Sequence, residues 1–212
     1  MLIVCPELTE RKYPGAEWYQ EGGIMDTDGH IREKEERTFS AADRIVAEVK
    51  NRTQAAGKII LFGHSAGGQF VHRWALLGGK KNVDVIAVAN SGWFTMPDRD
   101  IDYPYGIKNV GITDEELGEA FAEPVILFMG EKDVERKPPF RDTPEADAQG
   151  MNRMERCTNY FRQCKAKAEE LRVPFRWKLE TVEGVAHQGV KMAEGAAAYI
   201  FGKSSEDGNR RV

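Results

Sequence analysis

The chain has 212 residues, 41% of them hydrophobic, with 34 acidic against 30 basic side chains and a net charge of -4. That length is enough for one domain with its own core, without metals or disulfides. The charge balance offers no basic face for nucleic acid, and no apolar run approaches the roughly 18 residues of a membrane span. Met1 leads into Leu2-Ile3-Val4 without the charged region or cleavage site of a secretory leader. Cys5, Cys157 and Cys164 are too few for a disulfide framework. Cys157 and Cys164 lie seven apart in a predicted helix, where a rise of ~1.5 Å per residue puts their Cα atoms ~10 Å apart, out of bonding reach. They read as small core residues of a reducing compartment. A soluble, cytoplasmic protein is expected.

In chain order, Leu2-Ile3-Val4-Cys5, ended by Pro6, has the form of a short buried strand. Residues 7–37 are irregular and punctuated by Pro14-Gly15, Gly22-Gly23 and Asp28-Gly29. Their aromatics Trp18 and Tyr19 read either as a substrate entrance or as cover for the core edge. A helix is predicted from Ser40, its cap, to Gly57, with Ala42, Ile45, Val46 and Val49 as the apolar stripe. The apolar run 58–62 then enters Gly63-His64-Ser65-Ala66-Gly67. A second helix follows, with Phe70, Val71, Trp74 and Leu77 inward and Gly78-Gly79 at its end. Residues 83–89, interrupted only by Asp84, form a central strand that runs into Asn90-Ser91-Gly92-Trp93-Phe94.

Residues 97–123 are polar and turn-rich, with one short helix announced by the capping box Thr113-Asp114-Glu115-Glu116, and read equally as a small lid or a surface connection. Residues 124–129 make another strand, which leads to Gly130-Glu131-Lys132-Asp133. A helix over 144–171 carries the seam Met154, Cys157, Phe161, Cys164, Ala168 and Leu171. Phe175, Trp177 and Leu179 alternate as a strand, residues 182–187 are its exit loop, 190–201 a closing helix, and 204–212 a disordered tail. Strands alternating with helices predict an α/β fold, a mostly parallel sheet with helices on both faces, in one domain over residues 1–203. Ligands of such sheets bind beyond the carboxyl ends of the strands, where Ser65, Trp93 and Phe94 fall.

A strand, a glycine-flanked serine and a helix form a nucleophile elbow, in which a sharp turn lifts the serine hydroxyl clear of the sheet. The competing reading of Ser65 is a helix cap. A serine hydroxyl needs a base, and the base needs a third group to fix its tautomer; on this scaffold their order is serine, acid, histidine. His187 is the candidate base because it alone comes late, in a loop after a strand, whereas His64 is expected to point away from Ser65. Asp133, which ends a strand between them, is the candidate acid, with Glu131 its rival in the same turn. The backbone N–H of Ala66 is a candidate oxyanion donor, and Trp93 and Phe94 are candidate walls of an apolar acyl pocket.

The segments Val4-Cys5-Pro6-Glu7-Leu8, Tyr13-Pro14-Gly15-Ala16, Gly63-His64-Ser65-Ala66-Gly67-Gly68-Gln69-Phe70-Val71-His72-Arg73, Gly130-Glu131-Lys132-Asp133, Thr143-Pro144-Glu145-Ala146 and Val185-Ala186-His187 give the chain a likeness that spans residues 2–202. It resembles the α/β-hydrolase superfamily, and within it the hydrolases described as poly(3-hydroxybutyrate) depolymerase-like or esterase-like. The resemblance implies Ser65 as nucleophile, Asp133 as acid and His187 as base, a small or oligomeric ester as substrate, and no metal or cofactor. Relatives carry an N-terminal portion with a strand ending in a His-Gly oxyanion motif, and this sequence starts after it. The resemblance leaves open a longer chain, a closing-up of the remaining strands, or a homo-oligomer that covers the missing ones. Gln188 stands where relatives often carry an acidic residue. The expected activity is ester hydrolysis through an acyl-enzyme, against a non-catalytic binding protein or an acyltransferase on the same scaffold.

Overall fold

The computed structural model describes residues 2–53, 57–78 and 82–202. Its framework is a sheet of four parallel strands, β1 (Ile60–His64), β2 (Val85–Ala89), β3 (Val125–Gly130) and β4 (Lys178–Val182), hydrogen-bonded in that order. The helices in chain order are α1 (Gly15–Trp18), α2 (Thr38–Thr53), α3 (Ala66–Leu77), α4 (Asp114–Ala122), α5 (Pro144–Asp147), α6 (Arg153–Leu171) and α7 (Gly189–Gly202). Parallel strands need crossovers, and α3, α4 and the α5–α6 pair supply them. The alternation of side chains along a strand fills two cores. Ile86, Val88, Val125, Leu127 and Met129 point to the large core shared with α3, α4 and α6, while Ala87, Ala89, Ile126 and Phe128 meet Met192 and Ala196 of α7 on the other face. The expected α/β sheet covered on both faces is therefore observed.

The register sets His64 beside Ala89, Ala89 beside Phe128, and Gly130 beside Val182. One edge of the sheet thus collects the turns after β1, β2, β3 and β4. The segment 97–123 buries Tyr103, Ile107, Val110, Ile112, Leu117 and Phe121 in the large core. Its α4 begins at the expected capping box on Thr113, with Glu116 as the reciprocal partner.

Three sequence expectations are corrected. Leu2, Ile3 and Val4 are 67%, 72% and 47% exposed and form no strand; an apolar run becomes a strand only beside a neighbour, and β1 pairs with β2 alone among the described residues. The helix expected over 144–171 is broken into α5 and α6, because Gly150 takes φ 148° and Asn152 caps a new start by accepting from the Glu155 N–H. The strand expected from Phe175 begins only at Lys178: the Arg176 N–H donates to Phe121 O, and the rings of Phe175 and Trp177 pack on Phe121 of α4. The tail 204–212 lies outside the described residues, and none of the described helices is long and apolar enough to cross a membrane.

β1 and α3 approach so closely that a Cβ on Gly63 would stand 2.3 Å from the Gly67 carbonyl oxygen. Backbone cannot yield as a side chain can. Gly63→Ala is expected to destabilise the fold by about 2 kcal/mol or more, measured as a lowered midpoint of urea denaturation.

Candidate active site

β1 ends at His64 and α3 starts at Ala66, so a single residue makes the turn between them. Ser65 holds φ 55°, ψ -114°, a conformation L side chains seldom adopt. Its N–H donates to Ala89 O of β2 and its carbonyl accepts from the Gln69 N–H. Its side chain makes no capping bond to α3, which removes the competing reading of the side chain as a helix cap. The hydroxyl instead lies 2.9 Å from His187 Nε2, and His187 Nδ1 lies 2.7 Å from Asp133 Oδ2. The three predicted side chains, distant in sequence, are thus in one hydrogen-bonded line. With Nδ1–H donating to the carboxylate, Nε2 is free to accept the serine proton. Glu131 is placed elsewhere, exposed, with Oε2 accepting the Gly184 N–H at 2.7 Å.

The loops that carry the acid and the imidazole are tied to the sheet. Asn90, at φ 43°, accepts the Gly130 N–H at 2.7 Å and donates to Ala186 O at 3.1 Å, so one buried side chain links the ends of β2, β3 and the His187 loop. The Lys132 N–H donates to Val185 O at 2.8 Å. Gly130 has no Cβ because one would stand 2.6 Å from that same Val185 oxygen. Arg153, the first residue of α6, donates to the other carboxylate oxygen, Asp133 Oδ1, at 3.2 Å, and both side chains are about 95% buried. Asp133 therefore lies between an imidazole and a guanidinium. Sequence reasoning missed Asn90 and Arg153; their signals, a polar residue closing an apolar strand and an arginine opening a helix, are too common to read alone.

His64 was expected to face away, yet its ring lies 4.7 Å from the His187 ring. It is the second imidazole of the site, and its buried Nε2 has no hydrogen-bond partner among the described residues. Burial, then the nearby His187, pushes its pKa down to about 4. His72 is structural: wholly buried, it faces Gly68 O at 3.0 Å through Nδ1 and accepts the Thr95 N–H at 3.1 Å through Nε2, which fixes the neutral Nδ1–H tautomer.

The Ala66 N–H, first in α3 and next in the chain to Ser65, has no helical acceptor and lies at the positive end of the helix dipole. Tyr19 stacks on Phe70, and its hydroxyl stands 3.5 Å from where a Cβ on Gly67 would be. Burial raises its pKa, so it remains a proton donor at neutral pH. Phe94 does not wall a pocket: it is wholly buried, stacked on Tyr160 at 4.5 Å, with both backbone polar groups held by Gln149. Trp93 is 2% exposed and covered by Arg73, Arg141 and Tyr105. One group of metal-ligand type occurs among the described residues, Asp26, Asp28 and His30. There Asp26 Oδ1 already accepts the N–H groups of Asp28 and His30 to turn its own surface loop.

A parallel sheet with a serine turn after β1 and acid and imidazole after β3 and β4 defines an α/β-hydrolase scaffold. No protein-family model matches the chain, and no curated protein sequence does. Among solved structures, poly(aspartic acid) hydrolase-1 from Sphingomonas sp. KT-1 superposes with a TM-score of 0.84 at 33% identity, over 90% of this chain and 73% of that one. LpqC, the poly(3-hydroxybutyrate) depolymerase from Bordetella parapertussis, superposes with a TM-score of 0.85 at 31% identity, over 92% of this chain and 67% of that one. The chain belongs to the α/β-hydrolase superfamily and shares its scaffold with hydrolases.

The depressed His64 pKa makes stability depend on pH with a definite sign. Folded His64 titrates near 4 and the unfolded residue near its ordinary 6.5, so the unfolded chain binds the proton first as pH falls. Stability is full above about pH 6.5 and declines toward pH 4. The urea midpoint of His64→Gln is expected to fall less between pH 7 and pH 4.5 than that of the wild type; the decline that remains comes from His72, whose pKa burial also lowers, and at the acid end from paired carboxylates such as Glu116 and Asp147.

Proposed function

We propose that the protein is a serine hydrolase that cleaves carboxylic esters through an acyl-enzyme. The observation that carries this reading is the line Ser65 Oγ, His187 Nε2, His187 Nδ1, Asp133 Oδ2, with contacts of 2.9 and 2.7 Å, inside the range that general base catalysis requires. As Ser65 Oγ attacks the ester carbonyl, Nε2 takes its proton. Asp133 holds the resulting imidazolium in orientation and offsets its charge. The Ala66 N–H stabilises the oxyanion. The tetrahedral intermediate collapses as Nε2 returns the proton to the leaving alkoxide, which departs as the alcohol. Water then enters, gives a proton to His187 and attacks the acyl group; Ser65 recovers the proton and the acid leaves.

Arg153 has a positioning role here. By occupying Asp133 Oδ1 it leaves Oδ2 for His187 and gives the buried carboxylate a cationic partner. His64, neutral above about pH 4, packs against the base without adding a competing charge.

A fluorophosphonate probe is expected to label Ser65 of the wild type and not Ser65→Ala. With short-chain nitrophenyl esters, Asp133→Asn is expected to lower kcat by about 10³–10⁴-fold with little change in KM, because the imidazole loses its oriented tautomer. Equal labelling of wild type and Ser65→Ala sinks the assignment.

A further inference from the structure

Ser65, Gln69 and Arg73 follow one another at intervals of four residues and so share one face of α3. Arg73 is wholly buried. Its Nε donates to Thr95 Oγ1 at 2.8 Å and its Nη1 to the carbonyls of Gln20 and Gln69 at 3.0 and 3.1 Å, while Nη2 has no hydrogen-bond partner among the described residues. The guanidinium lies 4.1 Å from the centroid of the Trp93 ring, and the guanidinium of Arg141 lies 4.7 Å from the same ring. Arg141 is exposed, yet it is held: its Nε donates to the Tyr105 hydroxyl at 2.6 Å, and that hydroxyl bonds Thr143 at 2.7 Å.

What this pair lacks is an acid in ion-pair contact. Arg136 and Arg156 are bound to Asp147, and Arg153 to Asp133, whereas neither Arg73 nor Arg141 enters an ion pair among the described residues. Glu21, the carboxyl near both, is half-buried and held above its ordinary pKa by that burial, against the pull of the two arginines. Two like charges against one indole repel each other, and a buried cation without a partner is destabilising. An anion resolves both. The Arg141 guanidinium is partly immobilised by Tyr105 and Trp93 before any ligand arrives, so little side-chain freedom is lost on binding.

We propose that Arg141, with Arg73 behind the same tryptophan, binds a carboxylate carried by the substrate, so that the preferred substrate is an acidic ester. This rests on the Ser65 reading above. The eight residues from Ser65 to Arg73 rise about 12 Å along α3. The carboxylate is therefore several bonds from the scissile ester, as in a monoester of a medium-length dicarboxylic acid or in an oligomer of acidic units.

The test uses nitrophenyl monoesters of dicarboxylic acids with four, six, eight and ten carbons, the butyrates of ω-hydroxy acids of matching lengths, and the neutral methyl ester of each. At one length or more in one series, the wild type is expected to favour the acidic member by about tenfold in kcat/KM, through KM and with the preference reduced by added salt. In Arg141→Met the ratio is expected to fall to about one, and in Arg141→Lys to lie between. Acidic and neutral members turned over equally by the wild type at every length in both series, or a ratio unchanged in Arg141→Met, would overturn the inference. Hydrolysis of the neutral esters that persists in Ser65→Ala would instead overturn the Ser65 reading.

Discussion

The turn at Ser65 is the constraint on which the rest of the site depends. A serine held at φ 55°, ψ -114° costs on the order of 1–3 kcal/mol, and such a residue persists only when its surroundings leave no alternative. Here β1 is paired to β2 along its length, the Ser65 N–H is committed to Ala89 O, and α3 begins at the next residue with Gln69 bonding back to Ser65 O. Gly63 and Gly68 let strand and helix close on each other: a Cβ on Gly68 would stand 2.9 Å from Ala89 O. The strain turns the hydroxyl outward to the imidazole and away from the helix end.

Around that hydroxyl the charges are arranged by depth. Asp133 is buried with a cation-bearing partner at each oxygen, Arg153 firmly and His187 whenever its ring is protonated. His187 is partly open to solvent. His64 packs against it and stays neutral above about pH 4. The charged form of His64 is disfavoured first by burial and then by His187, so His64 adds no positive charge beside that ring near neutral pH.

Rigidity comes from short links between loops. Asn90 joins three strand ends through one side chain, and Arg73 pins the Gln20 loop and Thr95 to α3. Arg156 holds Gly92 O and Gly150 O and pairs with Asp147. These are buried polar groups with backbone partners, the arrangement that makes a polar interior specific rather than merely tolerated. They fasten the connections after β1, β2 and β3, where the candidate site is gathered, and hydrophobic packing secures the sheet beneath.

Much of this was legible in the chain. Alternating apolar runs and helical stripes located all four strands to within a few residues, the glycine-flanked serine located the turn, and the order of serine, aspartate and histidine singled out Asp133 and His187. Those features depend on local pattern and sequence order, which the chain displays directly. The fate of Leu2 to Val4 depended on whether a neighbouring strand was present, and the break at Gly150 on one backbone angle. The burial of Phe94 depended on Tyr160 and His72 lying beside it. Equally hidden were His64 against His187, Arg153 on Asp133, and Arg73 with Arg141 on Trp93. Each of these joins residues far apart in sequence or turns a side chain to one of two faces, and only closure of the sheet and docking of α6 bring such groups within hydrogen-bonding or stacking distance. The sequence by itself determined which side chains carry the candidate chemistry; the tertiary structure decided what surrounds them, because charge, burial and contact exist only after distant segments meet.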